Sequence, residues 1–188
     1  NGGASGSKIN TIGYATIASL GNCVDFGDTT QARSNSSGLS SPTRGIFAGG
    51  YTPTEVKTID YITIASTGNA QDFGDQTQGG QASAGSGSST RGLIWGSVVA
   101  PKNTIDFITI SSTGNAIDFG DSLNELGYGN SCSSPIRSVR GGGQDGTATN
   151  VIEYVSIATQ GNAVDFGDLS TIDHRACGTY SNGHGGLG

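Results

Sequence analysis

GNAQDFGD, residues Gly68 to Asp75, is the stretch that decides the fold, because near-copies of it occur three more times in the chain. The copies are GNCVDFGD at 21–28, GNAIDFGD at 114–121 and GNAVDFGD at 161–168. A chain that uses one short segment four times is built from repeats. The segment therefore indicates architecture rather than a single reaction centre.

The repeat length can be measured on the isoleucine that opens the preceding β-branched run, as in TIDYITIAS. Ile12, Ile59, Ile105 and Ile152 are separated by 47, 46 and 47 residues. Each copy holds a Gly-bounded apolar stretch, the β-branched run, a Gly-Asn turn with its DFGD strand, and a small-residue stretch such as QARSNSSGLSS. Four short strands per repeat predict an all-β protein, a β-propeller of four blades of about 47 residues.

We therefore expect one β-propeller domain over 1–188, with repeats around 1–47, 48–94, 95–140 and 141–188. Asn1 lies 11 residues before Ile12 and Gly188 lies 36 after Ile152, so the chain ends at the phase in which it begins. This phase predicts a ring closed by pairing of the N- and C-terminal segments, with 175–188 supplying the first strands of the last blade. The small-residue strands suit the crowded centre of such a ring.

Composition limits the functional classes. The chain has 188 residues with 33 Gly, a net charge of −6 and a pI near 4.6. This acidity disfavours binding to nucleic acid, and no apolar run is long enough for membrane insertion. Two histidines, His174 and His184, leave little for a His-based metal site or catalytic triad, so we expect no enzyme.

The three cysteines do not have the spacing of a zinc site. Cys23 takes the place that Ala70, Ala116 and Ala163 hold in the other copies, which predicts a small buried residue. Whether Cys132 and Cys177 form a disulfide stays open.

Charged residues at fixed repeat positions allow two interpretations. The motif creates two rings of carboxylates, Asp25, Asp72, Asp118 and Asp165, and Asp28, Asp75, Asp121 and Asp168. They could bind calcium, but their low density favours a role as acceptors for backbone N–H groups at turns. We expect no cofactor, with calcium as the alternative.

Two further charged sets follow the repeat. Arg44, Arg91 and Arg137 each lie 16 residues after the second Asp, which predicts Asp–Arg pairs between blades. The other set is Asp60, Asp106 and Glu153, which Gly13 replaces in the first copy. Because catalytic carboxylates are singular, this third set is interpreted as structural.

The connection between the second and third strands diverges most among the copies, as in YTPTEVK and QDGTATN. Loops on a rigid scaffold commonly carry recognition, although neutral drift would give the same divergence. On the functional interpretation these partner-binding residues lie on one face: Tyr51, Glu55, Lys57, Lys102, Tyr128 and Asp145.

The segment ARSNSSGLSSPTRGIFAGG (32–50) followed by TIDYITIASTGNAQDFGD (58–75) resembles a Kelch repeat. It departs from the Kelch pattern at Gly96-Ser97, where the second Gly is absent, and in having Phe rather than Trp at the outer position. Over nearly the whole chain the amino-acid sequence is similar to repeats in virion proteins of marine bacteriophages, including cyanophages.

This resemblance implies a Kelch-like propeller that is a structural or binding module on a virion surface or tail. Its implied partners are other virion proteins, or a glycan or protein on a host surface, and its implied location is the virion or an extracellular surface. Two alternatives stay open, a bacterial carbohydrate-binding lectin and the subunit of an extracellular filament.

Overall fold

The computed structural model describes residues 7–98, 103–145 and 147–172, and this part of the chain is all-β, without a helix. The strands in chain order are β1 (Thr11–Tyr14), β2 (Val24–Asp28), β3 (Ser37–Ser40), β4 (Arg44–Ala48), β5 (Tyr51–Thr52), β6 (Thr54–Glu55), β7 (Thr58–Thr63), β8 (Gln71–Asp75), β9 (Ala84–Gly87), β10 (Arg91–Trp95), β11 (Thr104–Thr109), β12 (Ile117–Asp121), β13 (Asn130–Ser133), β14 (Arg137–Gly141), β15 (Gln144–Asp145), β16 (Thr147–Ala148), β17 (Val151–Ser156) and β18 (Val164–Asp168).

Three antiparallel sheets of four strands contain most of these strands. Their orders are β3-β4-β7-β8 in the first sheet, β12-β11-β10-β9 in the second and β13-β14-β17-β18 in the third. Strands that are neighbours in each sheet follow one another in the chain, apart from the hairpins β5–β6 and β15–β16 inserted after the second strand. β1 and β2 form a separate two-stranded sheet, which we call the N-terminal pair.

The small-residue strands lie where the sheets converge, as the sequence predicts. β9 packs between β3 and β13. A side chain at Gly85 would place its Cβ 2.5 Å from the carbonyl oxygen of Gly38 on the neighbouring strand. On the other side of β9, the Ser133 hydroxyl of β13 donates to the carbonyl of Gly87 at 2.6 Å. Only small residues allow the backbones to approach this closely.

The hydrophobic core is divided among three junctions between successive sheets. We number them from the N-terminus: the first joins the N-terminal pair to the first sheet, the second joins the first and second sheets, and the third joins the second and third. In each junction an isoleucine and a phenylalanine of one sheet meet the aliphatic residues and the small Gly-Asn-Ala turn of the next. In the second junction these residues are Ile59, Phe73, Ile108, Ile110 and Ala116.

The DFGD motif forms the hydrogen-bonded part of every junction. In the second junction Gly114 N donates to Phe73 O at 2.7 Å and Ala116 N donates to Asp75 O at 2.8 Å. The Asn115 side chain completes the set, because its Oδ1 accepts from Asp75 N at 3.0 Å. The first and third junctions repeat this pattern with their own residues. The edge strands β2, β8 and β12 are therefore each covered by the turn of the following sheet.

A β-bulge explains why the motif contains Phe-Gly. The register between β7 and β8 shifts by one residue, so that Phe73 is the extra residue and its ring enters the junction. Gly74 follows with φ +142°, and a Cβ on it would lie 2.5 Å from the carbonyl group of Gly114. The first, second and third sheets and the N-terminal pair all carry this bulge.

Within the described residues the series of sheets is open at both ends. The strands predicted to close it, from 175–188, lie outside those residues. β18 meets no Gly-Asn turn in this part of the chain, and Phe166 is 55% exposed whereas Phe119 is 2% exposed. At the other end Cys23 is exposed, so the expectation of a buried Cys23 is wrong, because no sheet precedes the N-terminal pair here.

We expect Gly74→Ala to destabilise the protein much more than Gly114→Ala. Gly74 has φ +142° and Gly114 has φ +155°, a backbone region that side chains rarely adopt and that costs an alanine about 1–3 kcal/mol of strain. Only at Gly74 would the new Cβ also meet backbone atoms, since nothing lies within 4 Å of a Cβ at Gly114. The added overpacking costs about 1–3 kcal/mol, measured as the difference in free energy of unfolding by urea titration. Equal losses in the two variants would show that the close approach does not limit stability.

Candidate functional site

The hairpin after the second strand defines one face of the molecule, as predicted. In the first sheet Tyr51 pairs with Glu55 across β5 and β6. The backbone of Tyr51 also exchanges hydrogen bonds with Ser34, at 3.1 and 2.8 Å, in the segment that enters the sheet. Gly127 and Gln144 form the same bridge in the third sheet. The hairpins and the entering segments therefore form one surface, which we call the hairpin face.

Three of the predicted binding residues lie on the first hairpin or directly after it. The Lys8 ammonium lies 4.0 Å from the centre of the Tyr51 ring. Glu55 accepts from Gln81 Nε2 at 3.0 Å, and exposed Lys57 donates from Nζ to the carbonyl of Thr77 at 3.0 Å. Glu55 and Lys57 are thus held by contacts to the segment that enters the second sheet.

Tyr128 lies on the same face at the third sheet. It is 40% exposed and has φ 59°, matching φ 56° at its repeat counterparts Asn35 and Ala82. Backbone bonds link the three positions: Ala82 N donates to Asn35 O at 3.0 Å, and Tyr128 N donates to Ala82 O at 2.9 Å. Asp145 has its backbone in β15, and its side chain, like all of Lys102, lies outside the described residues.

Sequence reasoning missed Asn35 and Gln81, which connect neighbouring repeats on this face. Asn35 Nδ2 donates to Gln81 Oε1 at 3.1 Å, so that Asn35, Gln81 and Glu55 form a chain of side chains. Asn is one of the few residues that adopt positive φ readily, so Asn35 in a polar loop was the available signal. The arrangement presents amide, carboxylate and phenol groups suited to hydrogen bonding with a polar partner.

Beneath the hairpin face three buried acids join the sheets. Asp60, Asp106 and Glu153 are 0%, 5% and 3% exposed. Each accepts from the backbone N–H of the second residue after the preceding DFGD motif: Asp60 from Thr30 at 3.2 Å, Asp106 from Thr77 at 3.0 Å and Glu153 from Leu123 at 2.6 Å. These contacts agree with the interpretation of this set as structural, which stays a prediction.

Two buried arginines neutralise two of these acids. Arg33 Nη2 lies 2.7 Å from Asp60 Oδ2 and also donates to the carbonyls of Phe47 and, through Nη1, Thr58. Arg140 Nη1 lies 3.0 Å from Glu153 Oε1. Burial lowers the pKa of both arginines, and the attraction of the partner carboxylate opposes that shift. Neither arginine occupies a repeated position, so sequence reasoning missed both.

Asp106 has no arginine. Its carboxylate accepts from Thr77 N and, at 2.6 Å, from the Thr77 hydroxyl, and no ion pair reaches it from the described residues. Burial raises the pKa of Asp106, and the Thr77 hydrogen bonds oppose that shift. The second junction therefore contains a buried acid without an arginine partner, and the charge of nearby Lys57 only partly opposes the effect of burial.

The predicted Asp–Arg pairs with the DFGD motif are wrong. Arg44 donates to the carbonyl of Ile110 at 2.8 Å, and Arg91 donates to that of Ile157 at 3.0 Å, in each case on the following sheet. Each also stacks on an aromatic ring of its own sheet, as Arg137 does on Tyr154 at 4.8 Å. The constant spacing reflects this stacking together with a carbonyl contact, which a sequence offset cannot distinguish from an ion pair.

The carboxylates of the DFGD motif serve as turn acceptors where their bonds are described. Asp118 Oδ1 accepts from Gly120 N at 3.0 Å, and Asp25 and Asp165 make the same bond at 3.2 Å. This supports the backbone-acceptor interpretation over the calcium alternative for these three. Across the part of the chain described here, no group of three or more His, Cys, Asp or Glu could hold a metal ion. Cys132 is a free thiol, and Cys177 lies outside that part.

No protein-family model matches the chain, and no curated protein matches it either. None of the described elements is a helix long and apolar enough to cross a membrane. Function is therefore inferred from the repeat, its junctions and the hairpin face.

We expect Arg33→Met to lower the free energy of unfolding by about 3–5 kcal/mol, because it leaves the Asp60 carboxylate buried without a cation. Arg33→Met combined with Asp60→Asn should recover most of this loss, since no buried charge then remains. Urea unfolding of the two variants and the parent chain measures both effects. A double variant as unstable as the single one would show that Arg33 acts through packing rather than charge.

Proposed function

We propose that the chain is a four-bladed Kelch-like β-propeller that serves as a non-enzymatic structural or binding module on a virion surface or tail. The observation that carries this proposal is the junction itself, which repeats three times with the same hydrogen bonds while the hairpins on one face differ. Such a molecule has a constant frame and a variable surface. The similarity to virion repeats of marine bacteriophages supplies the setting.

The two open ends support closure into a ring because each carries half of a fourth junction. In β18, the carbonyl oxygen of Phe166 and the backbone N–H and carbonyl of Asp168 correspond to the groups of Phe119 and Asp121 that form the hydrogen bonds of the third junction. The first repeat offers the matching turn, Gly21-Asn22-Cys23. In a fourth junction Arg137 would donate to the carbonyl of Ile17, as Arg91 donates to that of Ile157 in the third. The fourth junction differs at Gly13, which replaces the buried acid.

The first junction also contains space for two inner strands of a fourth sheet. An apolar cleft of about 660 Å³ lies between the N-terminal pair and the first sheet, bordered by Ile12, Tyr14, Phe26, Phe47 and Ile62. In the second junction the corresponding region is filled by Ile46 and its neighbours on β4. We assign the C-terminal segment 175–188 to this cleft, where it would complete a fourth sheet with the N-terminal pair.

The same open ends favour one second candidate, the filament subunit. The β18 edge of one molecule would bind the Gly-Asn turn of the next, head to tail. Such an interface adds further molecules until the assembly closes into a ring, and it gives an open filament where no ring closes. Closure within one chain and assembly between chains thus use the same contacts and differ only in which molecule supplies them.

Cross-linking separates these arrangements. Cys23 N should meet Asp168 O, as Ala70 N meets Asp28 O at 2.7 Å, so a short bismaleimide should link Cys23 to a cysteine introduced by Asp168→Cys. Cys132→Ser and Cys177→Ser remove the other thiols. We expect cross-linked monomers, identified by mass spectrometry of the linked peptides.

The described first junction provides a matched control, in which Asp28→Cys and Ala70→Cys with Cys23→Ser should cross-link within one chain. A ladder of cross-linked oligomers from the Cys23 and Asp168→Cys pair would favour the filament. Efficient linking in the control with none at the ends would contradict both arrangements.

The hairpin face is the proposed contact surface for other virion proteins or for a glycan or protein on a host. Tyr51, Glu55, Lys57 and Tyr128 lie on the hairpin face, and we assign Lys102 and Asp145 to it from their positions in the repeat. Tyr51 is half-buried and Tyr128 is exposed, and tyrosines with amide and carboxylate neighbours are suited to polar or carbohydrate partners.

Immunogold electron microscopy of virions from a culture that produces the chain tests the proposed setting, and we expect label on the particle surface or tail. Free fibres carrying the label would favour the filament, and unlabelled particles would contradict the virion proposal. A glycan array tests binding, with alanine at Tyr51, Glu55, Lys57 and Tyr128 expected to weaken any glycan hit by about tenfold or more.

The array needs a control on the opposite face, for which exposed Thr67→Ala and Thr113→Ala serve. Equal losses from both sets would exclude the hairpin face as the binding surface. Strong binding to defined glycans together with unlabelled particles would support the lectin alternative.

A further inference from the structure

The face opposite the hairpin face is formed by two sets of connections that are bonded to each other. One set consists of the hairpins that join the first and second strands of the three sheets, at 41–44, 88–91 and 134–137. The other consists of the turns that contain Gly-Asn, at 64–70, 110–116 and 157–163. The backbone N–H that opens each turn donates to a carbonyl of the hairpin in its own sheet, at 2.9, 2.9 and 3.0 Å. These six segments, which we call the arginine face, contain three arginines and neither Asp nor Glu, although the chain has a net charge of −6.

The three arginines form a row that is connected through the backbone of the turns. Arg44 Nη1 donates to the carbonyl of Ile110 at 2.8 Å, and the N–H of Ile110 donates to the hairpin that carries Arg91. The same two bonds connect Arg91 through Ile157 to the hairpin of Arg137. In each hairpin a serine hydroxyl accepts from the backbone N–H of the arginine at 3.1 Å, which fixes the three hairpins in the same way. The positive charges therefore follow one another across the three sheets.

Each guanidinium is held in place and keeps N–H groups for a ligand. The arginines stack on aromatic rings of their own sheets, with 4.4, 5.2 and 4.8 Å between the guanidinium carbon and the ring centre. Arg44 and Arg91 use Nη1 for their carbonyl contacts, and their other N–H groups have no acceptor among the described residues. None of these nitrogens is buried, so they reach solvent, whereas Nε of Arg33 is buried and unpaired. A guanidinium has five N–H groups, so donors remain along the edge of each stacked plane.

The surroundings of the row are free of balancing charge. Within the described residues no carboxylate forms an ion pair with these arginines, and the ion pairs there belong to Arg33 and Arg140 beneath the hairpin face. The tips of two hairpins add exposed apolar side chains: Pro42, Pro135 and Ile136, the last of them 69% exposed. The surface thus combines fixed, solvated cations with apolar contacts.

We propose that the arginine face binds an acidic peptide segment of a partner protein. The carboxylates of the segment accept paired hydrogen bonds from successive guanidinium groups, and an apolar residue at the end of its acidic run packs on Pro135 and Ile136. The apolar tips favour a peptide over a polyphosphate or a sulfated glycan, because those ligands offer charge without apolar groups. This surface lies within the three described sheets, so it does not depend on ring closure and is a second contact surface beside the hairpin face.

Fluorescence anisotropy with fluorescein-labelled Asp-Ser-Asp-Ser-Asp-Leu-Leu tests the surface at low ionic strength, where exposed charges are least screened. We expect saturable binding that is lost when Asn replaces each Asp of the peptide and weakened when Ser replaces both Leu. Arg137→Gln should weaken binding about fivefold or more. Because Arg137 makes no carbonyl contact within the described residues, the junctions stay intact, and an unchanged Tm verifies this. Lys8→Gln removes one cation from beside Tyr51 on the hairpin face and is the matched control, with unchanged affinity expected.

Chemical footprinting locates the surface without any substitution. Phenylglyoxal modifies accessible guanidinium groups, and the bound peptide should protect Arg44, Arg91 and Arg137 from it, as measured by mass spectrometry. No binding of the peptide, no protection of these arginines, or equal losses in Arg137→Gln and Lys8→Gln would overturn the proposal. Tighter binding of polyphosphate or heparin than of the peptide would also overturn it, since it would show a general affinity for polyanions. These measurements use the purified chain, so their failure is distinct from a failure of the virion proposal.

Discussion

The contact between the Phe-Gly bulge of one sheet and the Gly-Asn turn of the next is the constraint on which this molecule depends. At Gly74 the two backbones approach so closely that a methyl group would not fit. That approach lets Phe73 enter the following sheet, and it brings the turn into hydrogen-bonding distance of the edge strand. One contact thus creates the core, fixes the order of the sheets and protects the edges from pairing elsewhere.

Different interactions join the sheets on the two sides of this contact. On the hairpin side a buried acid accepts from the N–H of the preceding segment, as Asp60 does from Thr30. On the opposite side an arginine stacked on its own sheet donates to a carbonyl of the next, as Arg44 does to Ile110. The acid is deeply buried and needs a counter-charge, whereas the arginine remains partly exposed and needs none. The source of the counter-charge accordingly differs between the repeats.

The sequence predicts the repeat, the strands and the hairpin face because these follow from periodic patterns. The Ile-to-Ile spacing marks the third strand of each sheet, and the small residues of β9 mark the crowded side. A repeat pattern cannot identify a contact that is made in only one of the junctions. Arg33 has Gly80 and Leu126 as its counterparts, so no repeat signal identifies it as the partner of Asp60. The expectation that Cys23 is buried was wrong for a related reason. Aligning the repeats predicts burial only where a preceding sheet covers the turn.

The non-equivalent acids bear on how such a chain avoids folding incorrectly. Repeats of nearly equal sequence can pair in the wrong order or with a neighbouring molecule, a common failure of repeat proteins. Here the segment carrying Arg33 suits a sheet that carries Asp60, and it would supply a second guanidinium where Arg140 already neutralises Glu153. A wrongly paired sheet would leave one acid without its cation and crowd another. The position of the arginine that pairs with the buried acid differs between the junctions. This difference favours a single order of assembly for sheets of nearly identical sequence.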